Sequence, residues 1–219
     1  MRIALLLSLL SLPALAEELA ELDKPAPQFR LPVYNAKEFG ESFVALDALV
    51  GQGRTDKDGK LLVVSFMASF CGPCKKEMPY LQKLYAENRD KGLRVMMVAI
   101  DTDEEGQKKV EALVAENQVT FPVAKDRFNI VARRWLGAQS PLPSLFFVRT
   151  DGTIASVHRG YSQDGALVLA EEIEKVLGVK VSPPTVAAPP PEPVDAGVPA
   201  AEPTPKGKKP AKTPKKKKK

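Results

Sequence analysis

The amino-acid sequence predicts an α/β domain with a central mixed sheet and helices on both faces. Apolar, β-branched runs of the kind found in buried strands alternate with segments whose apolar residues recur at helical spacing. The pair Asp151-Gly152 predicts a tight turn that makes the last two strands antiparallel. Residues 17–181 lie between two compositionally distinct ends, and their number suits one domain with its own core.

The predicted elements follow the order β-α-β-α-α-β-β-α, which is consistent with a sheet covered on both faces. An extension over residues 28–49 precedes them and contains a short hairpin around Phe29–Leu31 and Ser42–Leu46. The polar, glycine-rich stretch 51–59 is predicted to be a surface loop. The main elements are strand 61–67, helix 76–89, strand 93–100, helix 104–117, helix 126–135, strand 144–149, strand 153–159 and helix 166–177.

The apolar pattern supports each of these assignments. Strand 61–67 and strand 93–100 are nearly continuous apolar runs, which is typical of strands buried on both faces. Helix spacing is carried in the first long helix by Met78, Leu81, Leu84 and Tyr85, and in the second by Val110, Leu113 and Val114. The closing helix ends at Gly178, a residue type favoured just after a helix.

The first sixteen residues have the pattern of a secretory signal peptide. Arg2 precedes an apolar run, and Ala14-Leu15-Ala16 forms a small-x-small cleavage site. The run is shorter than the roughly 20 apolar residues that cross a bilayer, although an uncleaved anchor remains the alternative. We therefore expect an exported protein, in the periplasm or extracytoplasmic envelope, where disulfides persist.

Residues 182–219 form a Pro/Ala/Lys-rich tail, which we expect to be disordered. They hold 11 of the 20 prolines and nine lysines against three acidic residues, so residues 17–181 carry a net charge of −2. A basic face with interleaved aromatic residues is missing from the body of the sequence, which argues against nucleic acid as a partner. The lysines suit contact with an anionic envelope surface, and a solvated tail without a partner is the alternative.

The two cysteines of the chain lie three positions apart, in Cys71-Gly72-Pro73-Cys74. The strand before them and the amphipathic segment after them place the pair at a strand-to-helix junction. Unpaired N–H groups and the helix dipole stabilise a thiolate at the start of a helix. We therefore assign the attack on a substrate disulfide to Cys71 and the resolving attack to the more buried Cys74. Pro73 suits the first helical turn, and Gly72 leaves the approach open.

Two structural alternatives to a redox pair are weaker. A structural zinc ion needs four ligands, and beyond the two cysteines the chain offers one histidine, His158, so we predict neither a metal nor another cofactor. A disulfide across so short a loop constrains the unfolded chain little, which argues against a purely structural bridge. A redox-active dithiol is the interpretation that these residues favour.

The segment 66–79 resembles the active-site segment of the thioredoxin superfamily, and most closely that of exported TlpA/ResA-like thiol-disulfide oxidoreductases. The similarity extends over about residues 25–177 and includes Ala26-Pro27-x-Phe29-x-Leu31-Pro32, Phe121-Pro122-Val123 and the run from Pro141 to Val148. It implies a thioredoxin-like fold. Several motifs in the family's order make it more specific than the CGPC motif alone.

The resemblance also implies roles for individual residues. Pro143 matches a cis-proline beside the dithiol, which would turn the Leu142 backbone toward Cys71 so that a substrate strand can pair with it. We therefore expect Leu142 and Pro143, with Gly72 and Pro73, to contact substrate. Glu77 matches an acid that could relay the proton of the resolving cysteine, with a solvated helix carboxylate as the alternative.

Phe70, Ser65 and Trp135 complete the comparison with the family, and His158 is interpreted from its position in the sequence. Phe70 replaces the usual tryptophan before the first cysteine; we expect it to keep apolar cover without an indole N–H. Ser65 stands where thioredoxin has a buried aspartate, which makes Glu77 the stronger candidate for handling protons. Trp135 is interpreted as a packing residue, and His158 as a surface or edge residue.

The function that follows is an exported protein-disulfide reductase that accepts electrons from a membrane thiol protein and reduces disulfides of envelope proteins. Apocytochrome c is a client typical of the family. We expect a monomer. A dithiol oxidase or isomerase uses the same motif, and a non-catalytic binding module tethered by its lysine tail is a third hypothesis from a different class.

Overall fold

The computed structural model describes residues 20–138, 141–160, 162 and 165–181. The predicted signal peptide and the predicted tail lie outside these described residues. The elements, in chain order, are β1 Arg30–Pro32, α1 Ala36–Phe39, β2 Phe43–Ala45, α2 Leu46–Leu49, β3 Leu61–Met67, α3 Gly72–Asn88, a 3-10 turn Arg89–Lys91, β4 Leu93–Ala99, α4 Glu104–Glu116, β5 Val123–Lys125, α5 Ile130–Leu136, β6 Ser144–Arg149, β7 Ile154–Arg159 and α6 Gly165–Leu177.

A five-stranded mixed sheet of order β5-β4-β3-β6-β7 organises the described part of the chain. β3 lies at its centre, parallel to β4 and antiparallel to β6, while β5 extends the parallel half and β7 the antiparallel half. All seven residues of β3 are buried, as its continuous apolar run predicted. The predicted α/β class with a central mixed sheet is confirmed.

The sheet separates two apolar clusters, and helices cover both of its faces. Buried residues of α3, α4 and α6 pack on one face, where Cys71 and Cys74 also lie. Buried residues of α5 and of the N-terminal hairpin strand β2 pack on the other face, around Trp135. The hairpin β1–β2 is antiparallel and pairs Leu31 with Val44, close to where the sequence placed it.

The strand β5 corrects the predicted order of elements. It spans three residues and pairs with the end of β4, with Val98 opposite Ala124. A strand this short shows no recognisable alternation or apolar run, and neighbouring β4 supplies the hydrogen bonds that define it. The helix predicted from residue 126 begins instead at Ile130, after its N-cap residue Asn129, and the Asp126 side chain accepts hydrogen bonds from the free N–H groups of Ile130 and Ala132 in the first turn.

Within residues 20–138, 141–160, 162 and 165–181, every helix is too short or too polar to cross a bilayer.

Candidate active site

The paired cysteines lie at the junction of β3 and α3, as the sequence predicted. Cys71 and Cys74 form a disulfide with their Cα atoms 5.3 Å apart. Cys71 is the N-cap of α3, and its Sγ accepts a 3.2 Å hydrogen bond from the backbone N–H of Cys74. Because Pro73 occupies the first helical turn, it fits this position without losing a helical hydrogen bond. The helix N-terminus is thus aimed at the sulfur of Cys71.

The two sulfurs differ in their access to solvent. Cys71 is 8% exposed and Cys74 is fully buried in the cluster that α3 forms with the sheet. A partner disulfide can therefore reach Cys71 before it can reach Cys74. The difference matches the order of attack expected from the sequence, with the N-terminal cysteine first.

Phe70 is the residue that departs from the sequence expectation at this point. It is 77% exposed, so it projects into solvent and does not give the disulfide the apolar cover that we expected. The reason is the turn itself: the N–H of Cys71 donates a 3.0 Å hydrogen bond to the carbonyl of Ala68, which places the two middle residues, Ser69 and Phe70, on different sides. Ser69 is buried and Phe70 is not.

The peptide bond between Leu142 and Pro143 is cis, as the resemblance implied. β6 runs antiparallel to β3, with Ser144 opposite Phe66, so Pro143, the residue just before β6, lies at the edge of the sheet where the cysteine turn leaves β3. Leu142 packs, half-buried, against the apolar cluster that contains both cysteines. The structure therefore brings the predicted substrate-contacting pair to the same edge as the dithiol.

Glu77 lies one turn beyond Cys74 on α3, and its carboxyl group reaches the sheet. Its Oε2 accepts a 2.9 Å hydrogen bond from the hydroxyl of Ser65, a residue fully buried in the centre of β3. The residue as a whole is half-buried. Burial of the carboxyl group raises the pKa of Glu77 to about 7, although the hydrogen bond from Ser65 works in the opposite direction.

A second buried carboxylate near the cysteine turn was not singled out in the sequence. Asp101 follows β4 and accepts hydrogen bonds from the backbone N–H and the hydroxyl of Ser69. An acidic residue directly after a buried strand was the available sign, because such a residue comes to the same sheet edge as the end of the neighbouring parallel strand. The pattern alone does not distinguish it from a solvated loop residue.

Trp135 and His158 occupy packing positions. The indole N–H of Trp135 donates a 3.0 Å hydrogen bond to the carbonyl of Pro27, and its ring contacts Phe29, Phe66 and Phe146. His158 lies in β7, the outer strand of the described sheet, where its ring packs edge-on against Phe147. Its Nε2 is buried and accepts or donates no hydrogen bond within the described residues.

The described residues contain no group of three or more His, Cys, Asp and Glu side chains that could hold a metal ion. A groove of about 650 Å³ lies between the N-terminal hairpin and the start of β4, near Arg30, Phe43, Asp56 and Arg94. It is at the opposite edge of the sheet from Cys71, because Asp56 and Arg94 lie where β3 and β4 begin. The residues that line this groove do not include either cysteine.

The sheet order, together with a cysteine pair at the N-terminus of the helix after the central strand, is that of thioredoxin-like proteins. The chain belongs to the AhpC/TSA family, whose sequence profile matches residues 22–157. The similarity extends beyond the cysteine segment to the hairpin, the sheet and most of β7.

Two relatives are named thiol-disulfide oxidoreductase ResA. The protein from Oceanobacillus iheyensis is 34% identical over 135 residues, which make up 62% of this chain and 63% of that protein. The protein from Bacillus thuringiensis is 29% identical over 144 residues, or 66% of this chain and 73% of that protein. The chain thus aligns with somewhat less than two thirds of the first relative's length.

Solved structures give the same fold. A crystal structure assigned as the thiol:disulfide interchange protein DsbE from Chlorobium tepidum is 25% identical with a TM-score of 0.58, covering 73% of this chain and 99% of that one. A thiol:disulfide interchange protein from a Bacteroides species is 22% identical with a TM-score of 0.54, covering 73% and 92%. The second likeness supports the fold alone.

Proposed function

We propose that this protein is an exported thiol-disulfide oxidoreductase that reduces disulfides of other proteins by exchange at Cys71 and Cys74. The observation that carries the proposal is the hydrogen bond from the N–H of Cys74 to the Sγ of Cys71 at the start of α3. A backbone donor and a helix N-terminus at a sulfur favour its anionic form, and the thiolate is the species that attacks a disulfide. The names of the ResA and DsbE relatives support the same reaction class.

The exchange proceeds in two displacement steps. The Cys71 thiolate attacks one sulfur of the client disulfide, forms a mixed disulfide and releases the other client sulfur as a thiolate. Cys74, after losing its proton, attacks the Sγ of Cys71, which breaks the mixed disulfide and releases the second client thiolate. The client gains two electrons, and the protein is left with the Cys71–Cys74 disulfide that the structure holds.

Glu77 is the proposed acceptor for the proton of Cys74. The two residues are one helical turn apart, and Cys74 is buried where bulk water does not reach it. A carboxyl group whose pKa is raised by burial to about 7 can take up and release a proton near neutral pH. Ser65 holds that carboxyl group against the sheet through its hydrogen bond.

Substrate contact is proposed for Leu142 and Pro143, and for Gly72 and Pro73 in the first turn of α3. The start of β6 lies beside the end of β3, and an extended client segment can pair with the Leu142 backbone there. Phe70 projects into solvent next to Cys71 and offers an exposed apolar surface at the same edge. We assign no metal or cofactor to the reaction.

The domain organisation and cellular setting belong to the same proposal. We assign residues 1–16 to a signal peptide, 17–181 to the thioredoxin-like domain and 182–219 to a disordered basic tail that contacts an anionic envelope surface. The protein acts as a monomer in the periplasm or extracytoplasmic envelope. Electrons come from a membrane thiol protein, and the clients are disulfide-containing envelope proteins such as apocytochromes of the c type.

The reduction potential tests the proposed direction of electron flow. Equilibration of the purified protein with glutathione buffers should give a potential near that of thioredoxin, about −270 mV. A potential near the roughly −120 mV of DsbA would assign an oxidase instead.

A trapping experiment tests the order of attack. Cys74→Ser should accumulate a mixed disulfide between Cys71 and a client in envelope extracts, and mass spectrometry would identify that client. Cys71→Ser is the matched control and should trap nothing. Equal trapping by both variants would contradict the assigned order, and loss of both cysteines without a phenotype would favour the binding-module hypothesis.

A further inference from the structure

The position of Cys71 depends on the turn that precedes α3. Phe70, the exposed residue next to Cys71, does not stabilise this turn. The turn runs from Ala68 to Cys71, between the end of β3 and the start of α3, and is closed by a hydrogen bond from the Cys71 N–H to the Ala68 carbonyl. Phe70 extends into solvent and contributes little packing. Of the two middle residues, Ser69 is therefore the one that attaches the turn to the domain.

One carboxylate, that of Asp101, accepts hydrogen bonds from both donor groups of Ser69. The backbone N–H of Ser69 lies 3.1 Å from Oδ1 and 3.0 Å from Oδ2 of Asp101, and its hydroxyl lies 2.5 Å from Oδ1. Ser69 is 6% exposed and Asp101 is 3% exposed, so water competes poorly for these hydrogen bonds. Hydrogen bonds to a buried carboxylate are stronger than those between neutral groups.

Asp101 is itself enclosed by the surrounding backbone. The preceding residue, Ile100, donates its N–H to the carbonyl of Met67 at 3.0 Å, which joins the ends of β4 and β3. On the other side, Gly106 in the first turn of α4 lies so close that an added Cβ would be 2.6 Å from Oδ1 of Asp101. The carboxylate therefore has little room to move away from Ser69.

We infer that Asp101 is a positioning residue for the thiol-disulfide exchange, acting through Ser69 on the turn that places the Sγ of Cys71 at the N-terminus of α3. It does not contact either sulfur among the described contacts. This inference rests on the proposed function, because it concerns the reactivity of Cys71. It adds to the site a residue that follows β4 and lies outside the cysteine motif.

The rate at which iodoacetamide alkylates Cys71 tests this inference. The measurement uses the reduced full-length chain in a Cys74→Ser background, which keeps the backbone N–H of residue 74. Asp101→Asn and Ser69→Ala should each lower the rate constant at pH 6 by roughly two- to fivefold, the range expected for a weakened helix-terminus interaction. Ser69→Thr keeps the hydroxyl and should retain the unmodified rate.

The direction in which Asp101→Asn changes the alkylation rate distinguishes a positioning role from a direct electrostatic effect of the carboxylate. Removing a negative charge near a thiolate, with the turn unchanged, would make alkylation faster. A rate equal to or above that of the unmodified chain would therefore overturn the inference. Should Asp101→Asn fail to fold, the two Ser69 variants decide, and equal rates for Ser69→Ala and Ser69→Thr would overturn it.

Asp126→Asn is the matched control for general destabilisation. Asp126 is also a buried carboxylate just after a strand, but it accepts hydrogen bonds from the start of α5. The Asp126→Asn variant should have a lower melting temperature and an unchanged rate of Cys71 alkylation. A slowing equal to that caused by Asp101→Asn would overturn the specific role of Asp101. If Cys71 of the parent chain reacts no faster than free cysteine, the proposed function itself fails.

Discussion

The hydroxyl of Ser65 donates a hydrogen bond to Oε2 of Glu77 at 2.9 Å, and so connects the centre of β3 to the helix that carries the cysteines. Thioredoxin has a buried aspartate at the position of Ser65, and here the carboxyl group comes from α3 instead. A carboxyl group buried against the sheet thus comes from the helix turn that follows Cys74. This relationship makes the protonation of Glu77 measurable through both stability and NMR titration.

The free energy of unfolding should fall between pH 4.5 and pH 7 because of Glu77. Its pKa is 4.5 as an ordinary glutamate and about 7 in the folded protein, where burial disfavours the charge. Below pH 4.5 both states are protonated; between the two values the unfolded chain ionises first, which costs at most about 3 kcal/mol of stability.

Urea denaturation of the disulfide form across this pH range measures the effect, and Glu77→Gln should remove it. Glu87→Gln, on the exposed part of the same helix beside Lys83, is the control and should keep the slope of the parent protein. An unchanged slope in Glu77→Gln would show that the carboxyl group is solvated.

Ser65→Ala should raise the pKa of Glu77 further. The hydrogen bond from Ser65 stabilises the ionised carboxylate, so its loss favours the protonated form. The carboxyl carbon shift of Glu77, followed by NMR titration, measures the change. Ser156→Ala is the control, because the hydroxyl of Ser156 makes no hydrogen bond within the described residues. A pKa of Glu77 that stays constant or falls would contradict the stabilising role of the Ser65 hydrogen bond.

Iodoacetamide should alkylate Cys71 about tenfold or more faster than Cys74 at pH 7 in the reduced protein. Cys71 is at the surface end of the pair and receives the N–H of Cys74, whereas Cys74 is fully buried. The single variants Cys74→Ser and Cys71→Ser isolate the two rates. Equal rates would mean that α3 does not distinguish the two sulfurs.

Asp56→Ala should lower the free energy of unfolding at pH 7 by about 1–3 kcal/mol. Burial opposes the ionised form of Asp56, but the hydrogen bond and charge of Arg94 outweigh it and hold its pKa below the ordinary value. Arg94 contacts both carboxylate oxygens of Asp56. Its Nε donates to Oδ2, and its Nη2 lies 3.0 Å from Oδ1.

The stability difference between the parent protein and Asp56→Ala should shrink as the pH falls, because a depressed pKa stabilises only while the group is ionised. Denaturation at pH 7 and at pH 3 measures it. Asp90→Ala is the control: this side chain is 90% exposed beside Arg89 and should change stability by less than about 1 kcal/mol. A loss independent of pH would assign the effect to packing.

Trp135→Phe should destabilise the domain by about 1–3 kcal/mol without changing its reduction potential. The substitution removes the hydrogen bond to Pro27 and leaves that carbonyl buried, while the ring lies on the face of the sheet away from the cysteines. Thermal melting and glutathione equilibration measure the two quantities. Phe128→Leu, at an exposed position, is the stability control. A shifted potential would assign Trp135 a part in the site.

Much of the fold was predictable because its principal elements have strong local patterns. β3, β4 and α3 are long enough to show continuous apolar runs or helical spacing. The structure has both strands close to their predicted bounds, whereas α3 begins at Gly72, four residues before the predicted start. The three-residue β5 was missed because its existence depends on hydrogen bonds from β4. Phe70 was wrongly expected to cover the disulfide, since local sequence does not show which side of a turn a residue occupies.

By itself, the sequence determined the fold class, the cysteine pair at a strand-to-helix junction and, through its resemblance to a family, the cis-proline. Spacing, apolar periodicity and motif order are properties of neighbouring residues, so a single chain displays them. Only the tertiary structure decided that Asp101 holds Ser69, 32 positions away, and that Glu77 meets Ser65 across the helix–sheet interface. Such contacts depend on which strand ends and helix faces come together when the sheet assembles, and that geometry is set by the packing of the whole domain.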